Sequence, residues 1–354
     1  MDFMKTIPER RSIRRFHSSP VDQELVFALL REAQQLYPSG EAAAFRCVYA
    51  GTADSRERLA ACMLEPLVKN RLVKWLPEKV RDFVRKRVTD IPGHLAVIAR
   101  NDPDGRKSDM NYAAVCGIMQ NFQLVAWQRQ LGVLWDTEMI MQSKALFDLF
   151  KMNPDERLVG IFHLGYFDKV PKARARTRAE KKWTVLPERG GDLLNDVSSG
   201  SKVGCSLRYS GKPVSENHVL NLLNVAVWAP NDGLREPWRF IFMGSGSTDI
   251  MRGLQEQAPA YLVLVVKEEQ DLHKREEDFA ATCCLMQNFR LLARESRLHV
   301  RMTMNDWIYD RAYARRLGVQ KDERIVSVLE MGYLEQTLEP AAAENRPDFT
   351  FELL

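Results

Sequence analysis

The four residues Met119-Gln120-Asn121-Phe122 recur as Met286-Gln287-Asn288-Phe289, 167 positions later. The same offset carries Asn111-Tyr112-Ala113-Ala114 onto Asp278-Phe279-Ala280-Ala281, Glu156-Arg157-Leu158-Val159 onto Glu323-Arg324-Ile325-Val326, and Gly165-Tyr166 onto Gly332-Tyr333. Nearer the start the offset is 193: Pro20-Val21 pairs with Pro213-Val214, Leu29-Leu30 with Leu222-Leu223, and Phe45-Arg46 with Trp238-Arg239. Offsets held across separated blocks mark a duplicated unit, so one folding pattern has to be satisfied twice. The two offsets differ by 26, which places an insertion of that size in the first copy, between Gly51 and Asp109.

Each copy reads alike. An amphipathic helix (Gln23 to Gln35; Glu216 to Trp228) is followed by a Pro-containing turn and a short strand (Arg46 to Ala50; Arg239 to Met243). A second apolar strand (His94 to Ala99; Tyr261 to Val266) leads into a long helix built on the Met-Gln-Asn-Phe block. A further strand (Arg157 to Leu164; Arg324 to Met331) closes at Gly-Tyr. Strands interleaved with long helices predict an α+β architecture. The expected organisation is copy one over 1–185, with an inserted helical segment at about 65–90, a Gly/Ser/Asp-rich linker over 186–201, and copy two over 202–354.

Bulk properties narrow the function. With 45% apolar and 28% charged residues the chain has the balance of a globular protein and not of a disordered one. Its longest apolar run, Tyr261 to Val266, is far short of the roughly 20 residues a membrane span needs. The first eleven residues lack the apolar stretch of a secretory signal. Cys47, Cys62, Cys116, Cys205, Cys283 and Cys284 form no CxxC or zinc-type spacing, so no metal is expected and a reducing cytoplasm is the simplest compartment. A net charge of +4 is too small to argue for nucleic acid. The six histidines (His17, His94, His163, His218, His273, His299) show no constellation and read as structural or surface groups.

The positive charge is clustered, and the clusters carry the chemistry. Arg10-Arg11-Ser12-Ile13-Arg14-Arg15-Phe16, followed by Pro20-Val21, offers guanidinium forks and a hydroxyl suited to phosphate. After Gly165-Tyr166, Arg174 and Arg176 alternate as they would on an extended segment, so that both face one anion. Together with Pro230-Asn231-Asp232-Gly233-Leu234-Arg235-Glu236-Pro237-Trp238, these blocks resemble the signature segments of the nitroreductase family. The Pro-Trp segment departs from the family pattern at Asn231 (Ser is usual), Leu234 (Asn) and Glu236 (Gln).

The resemblance implies two nitroreductase-like copies forming an intrachain pseudo-dimer, a monomeric chain that binds FMN and draws electrons from NADH or NADPH. Arg10, Arg11 and Ser12 would hold the flavin phosphate, with Arg14, Arg174 and Arg176 in support, and Pro230, Asn231, Asp232 and Trp238 would touch the flavin from the other copy. Leu131-Gly132-Val133-Leu134-Trp135-Asp136-Thr137 resembles the stretch that passes the ring, so a backbone amide or hydroxyl in Trp135, Asp136 or Thr137 is expected near N5. The losses are asymmetric. Copy two has Val203-Gly204-Cys205 in place of the Arg-Arg-Ser block, and copy one has an alanine-rich segment in place of the Pro-Trp block. One composite site keeps both halves and the other loses both, so one flavin per chain is expected. The implied reaction is ping-pong reduction of a small flat acceptor such as a nitroaromatic, quinone or enone, performed by the cofactor while the protein holds and polarises it. Specialised flavin dehydrogenation, dehalogenation or flavin breakdown, and a non-catalytic flavin carrier, are the alternatives. The inserted basic segment Leu67 to Arg87, with Trp75, reads as a lid over the ring or as a contact with an anionic membrane surface.

Overall fold

The computed structural model describes residues 1–38, 43–69, 78–138, 143–186, 208–247, 251, 258–335 and 349–354. They form two compact units, one of Glu9–Arg174 with Ala343–Leu354, the other of Met1–Pro8 with Ala175–Ala342.

In the first unit, α2 (Gln23–Gln35) follows α1 (Phe3–Glu9), which belongs to the other unit. α2 starts where Asp22 accepts the Glu24 amide hydrogen, and it buries Val26, Leu29, Leu30 and Ala33 on one stripe. Strand β1 (Phe45–Ala50) leads to the helices α3 (Ala53–Lys69) and α4 (Glu78–Thr89); the segment of about 65–90 expected as an insertion takes in the end of α3 and α4, and residues 70–77 with Trp75 lie outside the described residues. Then come β2 (Gly93–Arg100), the central α5 (Gly105–Gln128), β3 (Leu131–Asp136), the short α6 (Lys144–Leu149) and β4 (Glu156–Tyr166). α5 is buried all round from Tyr112 to Ala126, which is why its sequence shows only a weak amphipathic pattern.

The second unit runs through a similar order of elements. β5 (Trp183–Val185), α7 (Glu216–Ala226), β6 (Trp238–Met243), β7 (Ala260–Lys267), α8 (Leu272–Glu295), β8 (His299–Thr303), α9 (Arg311–Arg316) and β9 (Glu323–Gly332) precede β10 (Thr350–Leu353). Each unit holds a five-stranded mixed sheet, in the orders β10-β1-β2-β4-β3 and β5-β6-β7-β9-β8.

The repetition reaches individual bonds. Asn121 Nδ2 donates to Ala33 O at 2.9 Å and Asn288 Nδ2 to Ala226 O at 3.2 Å. The buried amide of the repeated block thus satisfies a carbonyl in the last turn of α2 in one unit and of the helix Glu216–Ala226 in the other. Arg46 pairs with Glu156 at 2.7 Å, and Arg239 with Glu323 at 2.6 Å. A bulge interrupts β2 at Val97/Ile98 and β7 at Leu264/Val265.

The chain's ends are exchanged between the sheets. β5, which follows copy one in sequence, pairs parallel with β6, and Trp183 stacks on Phe242 with ring centroids 5.2 Å apart. The C-terminal β10 pairs parallel with β1, where Phe349 stacks on Phe45 at 5.4 Å. Of the expected linker 186–201, only Leu186 is described, its amide donating to Phe242 O. Among the described residues no helix is long and apolar enough to cross a membrane.

Candidate functional site

The arm Arg10–Phe16 lies along β3 and reaches the end of β4. Ser12 bridges Val133 in parallel, the Ile13 amide donates to Val133 O at 3.1 Å, and the His17 amide donates to Tyr166 O at 2.7 Å. This close approach depends on two glycines paired across the strands, Gly132 and Gly165. A Cβ on Gly132 would come within 2.8 Å of Ile13 Cβ, and one on Gly165 within 2.9 Å of Phe16 Cβ. Ile13 is buried beneath the arm. Copy two repeats the device with Tyr209 beside Gly332 and the Ser210 amide on Tyr333 O at 2.7 Å, but 203–205 there lie outside the described residues.

The arm presents its cations unequally. Arg10 is buried (5% exposed), Arg11 and Ser12 are half-buried, and Arg14 is exposed. Arg11 Nη1 donates to Arg10 O at 2.8 Å. Burial pushes the Arg11 guanidinium down from its ordinary value, against the pull of Glu9. A partly desolvated guanidinium gains most from a hydrogen-bonded anion. Two guanidinium groups and a hydroxyl on consecutive residues of a pinned backbone are groups of the chemical kind that binds phosphate.

The other expected residues are distributed as follows. Arg174 is exposed and closes the first unit. Arg176 belongs to the second unit, its guanidinium 5.3 Å from the centre of the Trp228 ring, so the structure does not bring the two onto one unit. In the Pro230–Trp238 loop, Asn231 Oδ1 accepts the Glu236 amide at 3.1 Å and its Nδ2 donates to Ala229 O at 3.2 Å. Asp232 is exposed and Pro230 half-buried. Trp238 is 1% exposed and pairs with Val266 at the start of β6, so its indole serves the core. Glu236 is buried, accepts the Thr177 amide with both carboxylate oxygens at 3.1 Å, and faces Lys182, whose Nζ also donates to Glu236 O. Leu234 and Glu236, two of the positions that depart from the family pattern, both have positive φ, 62° and 45°. Non-glycine residues occupy that region at a cost, and Asn tolerates it best.

At the end of β3, Trp135 stacks on Phe162 at 4.9 Å and its indole donates to Val159 O at 3.2 Å, seated over Gly160. Thr137 is half-buried beside it.

The histidines do form a constellation, contrary to the sequence expectation. His94 Nδ1 and His163 Nδ1 are 2.7 Å apart, His94 Nε2 lies 3.0 Å from Val88 O, and His163 Nε2 lies 3.2 Å from Asp136 Oδ2. Both rings are buried. Burial, with the neighbouring His163, holds His94 well below the usual imidazole range. Burial alone would raise Asp136, but the His163 hydrogen bond and charge, the Glu138 amide and Arg87 together bring it below the usual carboxylate range. The chain of residues was invisible in the sequence because it depends on the β2–β4 register, which sets His94 opposite His163. Among the described residues no group of His, Cys, Asp or Glu is arranged to hold a metal. Here the 2.7 Å between ring nitrogens leaves room for a proton and not for a metal, whose bonds to imidazole are about 2.0 Å each.

Comparison with known proteins adds three findings. The sequence model described as "Nitroreductase family" matches residues 7–166. A putative NAD(P)H nitroreductase, YfhC, of Bacillus subtilis (strain 168) is 27% identical over 180 residues, which are 51% of this chain and 92% of that protein. Among solved structures, a nitroreductase-like family protein from Bacillus cereus is 29% identical with a TM-score of 0.47, covering 54% of this chain and 97% of its own. An oxidized iodotyrosine deiodinase bound to FMN and 3-iodo-L-tyrosine is 20% identical with a TM-score of 0.37, covering 54% and 100%.

Proposed function

We propose that the chain, which the nitroreductase family model matches over residues 7–166, is a flavin-dependent oxidoreductase using FMN and driven by NADH or NADPH. The observation that carries this reading is the pinned arm. Arg10, Arg11 and Ser12 lie on a backbone bonded to β3, made possible by Gly132 and Gly165, and burial lowers the half-buried Arg11 guanidinium, so an anion beside it would be favoured.

FMN, when bound, would supply the redox chemistry between a nicotinamide donor and a small flat acceptor of the nitroaromatic, quinone or enone kind. The chain's own work is to bind and orient it. The arm anchors the phosphate, and Arg14 and Arg174, both exposed, add long-range attraction for the anion. The end of β3, around Asp136 and Thr137, is the proposed neighbour of the ring's reactive edge. Only copy one carries the Arg-Arg-Ser block, so the reading is one FMN per chain. Arg176, Pro230, Asn231 and Asp232 keep the cofactor-binding roles assigned from the sequence as part of this proposal, and Trp238 supports the loop from the core.

The test is the visible spectrum of the purified protein, with released flavin measured against chain concentration. One FMN per chain is expected, with strong loss in an Arg11→Ala/Ser12→Ala double variant and oxidation of NADH or NADPH in the presence of a nitroaromatic or quinone. Two flavins per chain would overturn the single site. None after reconstitution would overturn the enzyme assignment.

A further inference from the structure

Counting protons along the buried chain Val88 O, His94, His163, Asp136 shows that two neutral imidazoles cannot make its bonds. Val88 O can only accept, so His94 Nε2 carries a hydrogen. His94 is held neutral by burial, which leaves its Nδ1 as an acceptor, and the 2.7 Å bond then requires a hydrogen on His163 Nδ1. At the other end Asp136 Oδ1 already accepts the Glu138 amide at 3.0 Å, and Oδ2 faces His163 Nε2. A carboxylate has no hydrogen to give, so this bond needs one on Nε2 as well. Three bonds take three protons, and two neutral rings hold two.

The surroundings decide where the third sits. The groups facing the cluster are Arg56 from α3, which donates to Thr89 O and Ile91 O, and Arg87 from α4. Arg87 favours Asp136 as the anion and Arg56 disfavours a charge on His94, so the extra proton belongs to His163 and the pair is carboxylate with imidazolium. Copy two supplies an internal comparison. At the equivalent positions it has Tyr261, Glu330 and Thr303, with Glu330 paired to Arg301. The copy that lacks the Arg-Arg-Ser block also lacks the histidine chain.

We propose that His163 is a positioning residue, carrying a buried proton shared with His94 and Asp136 that fixes the end of β3 and so the Asp136–Thr137 backbone. Its placing role rests on the proposed flavin site, whereas the proton count does not. By the same chain of bonds, the C-terminal turn of α4, at Val88, is tied to the end of β3. Asp136→Asn is the informative change, because an amide Nδ2 can donate to His163 Nε2. All three bonds then survive with neutral rings, and only the extra proton is lost.

The experiment uses the full chain isotope-labelled on its histidine ring nitrogens, followed by NMR at neutral pH. The parent protein should show one buried ring protonated on both nitrogens and one neutral ring protonated on Nε2. Two neutral buried rings would overturn the proposal, and this needs no variant to fold. In Asp136→Asn the doubly protonated ring should vanish; its persistence would overturn the role given to Asp136. For placement, FMN affinity is measured against pH. It should fall about tenfold in the parent across the pH interval in which the doubly protonated ring signal is seen to disappear, the worth of one charge-assisted hydrogen bond, and stay flat in the variant. An equal fall in both would overturn the positioning role. A parent that binds no FMN would remove the flavin site and the placement together, while leaving the proton count standing.

Discussion

Replacing Gly132 and Gly165 by alanine, singly and together, asks how firmly the Arg10–Phe16 arm is held. Each new Cβ would press on the root of an arm side chain, Ile13 at 2.8 Å or Phe16 at 2.9 Å, which cannot swing aside as a flexible tip would. Overpacking of this kind destabilises by about 1–3 kcal/mol. Holding the arm are two backbone hydrogen bonds, Ile13 to Val133 and His17 to Tyr166, worth about 1 kcal/mol each. The burial of Ile13 adds about 2 kcal/mol. The total, about 4 kcal/mol, exceeds the strain of one alanine and is matched by that of two.

Either single variant should therefore keep the arm docked and lose about 1–3 kcal/mol in urea unfolding. The double variant should release the arm, and its loss should level off at about 4 kcal/mol instead of summing, because a detached arm feels no further strain. Trypsin provides the second readout. Cleavage after Arg10 and Arg11 should stay slow in the single variants and become fast in the double. Release of the arm by one alanine, or full additivity with the arm still protected, would refute the reasoning.

Two further outcomes follow from the copy-two unit. Leu234→Asn should raise stability by up to about 1 kcal/mol, since Asn accepts the φ of 62° that Leu occupies under strain; thermal unfolding decides, and a loss would show that the half-buried leucyl side chain matters more. Asp278 is pushed up to about 6 by burial, with Glu269 and Glu277 adding to the rise against Arg235 and Arg324. The folded state thus binds this proton more tightly than the unfolded chain, where a carboxyl titrates near about 3.9, and the stability it contributes at low pH is lost as pH rises from about 4 to 6. Asp278→Asn, which reproduces Asn111 of copy one, should gain on the parent across that interval in melting temperature; a pH-independent difference would sink the assignment.

The duplicated elements were legible because each rests on local pattern. The Met-Gln-Asn-Phe blocks mark the two central helices, and Gln23–Gln35 is helical over the span its apolar spacing predicts. α7 stops at Ala226, two residues before the expected Trp228. The arm's residues were legible too, but not the reason it lies where it does, since the Gly132–Gly165 pairing appears only once β3 and β4 are in register. The same holds for His94 and His163, separated by 69 positions and joined by strand pairing. Hardest of all were β5 and β10, three and four residues long, which carry no periodic signal and pair with strands from the other copy.

That exchange bears on how the protein is made. Arg46 and its partner Thr350 are roughly 300 residues apart, so at ribosomal speeds the edge of β1 emerges about 15–60 s before the segment that caps it. Through that interval copy one exposes an unpaired strand edge flanked by Phe27 and Phe45, the surfaces that Phe349 and Phe351 later cover. A nascent chain in this state is open to pairing with its neighbours on the same polysome. Translation, and not only thermodynamics, therefore sets when the first sheet is complete. Stalling or premature termination late in the message would leave a copy one that has its Arg-Arg-Ser arm and an open seam.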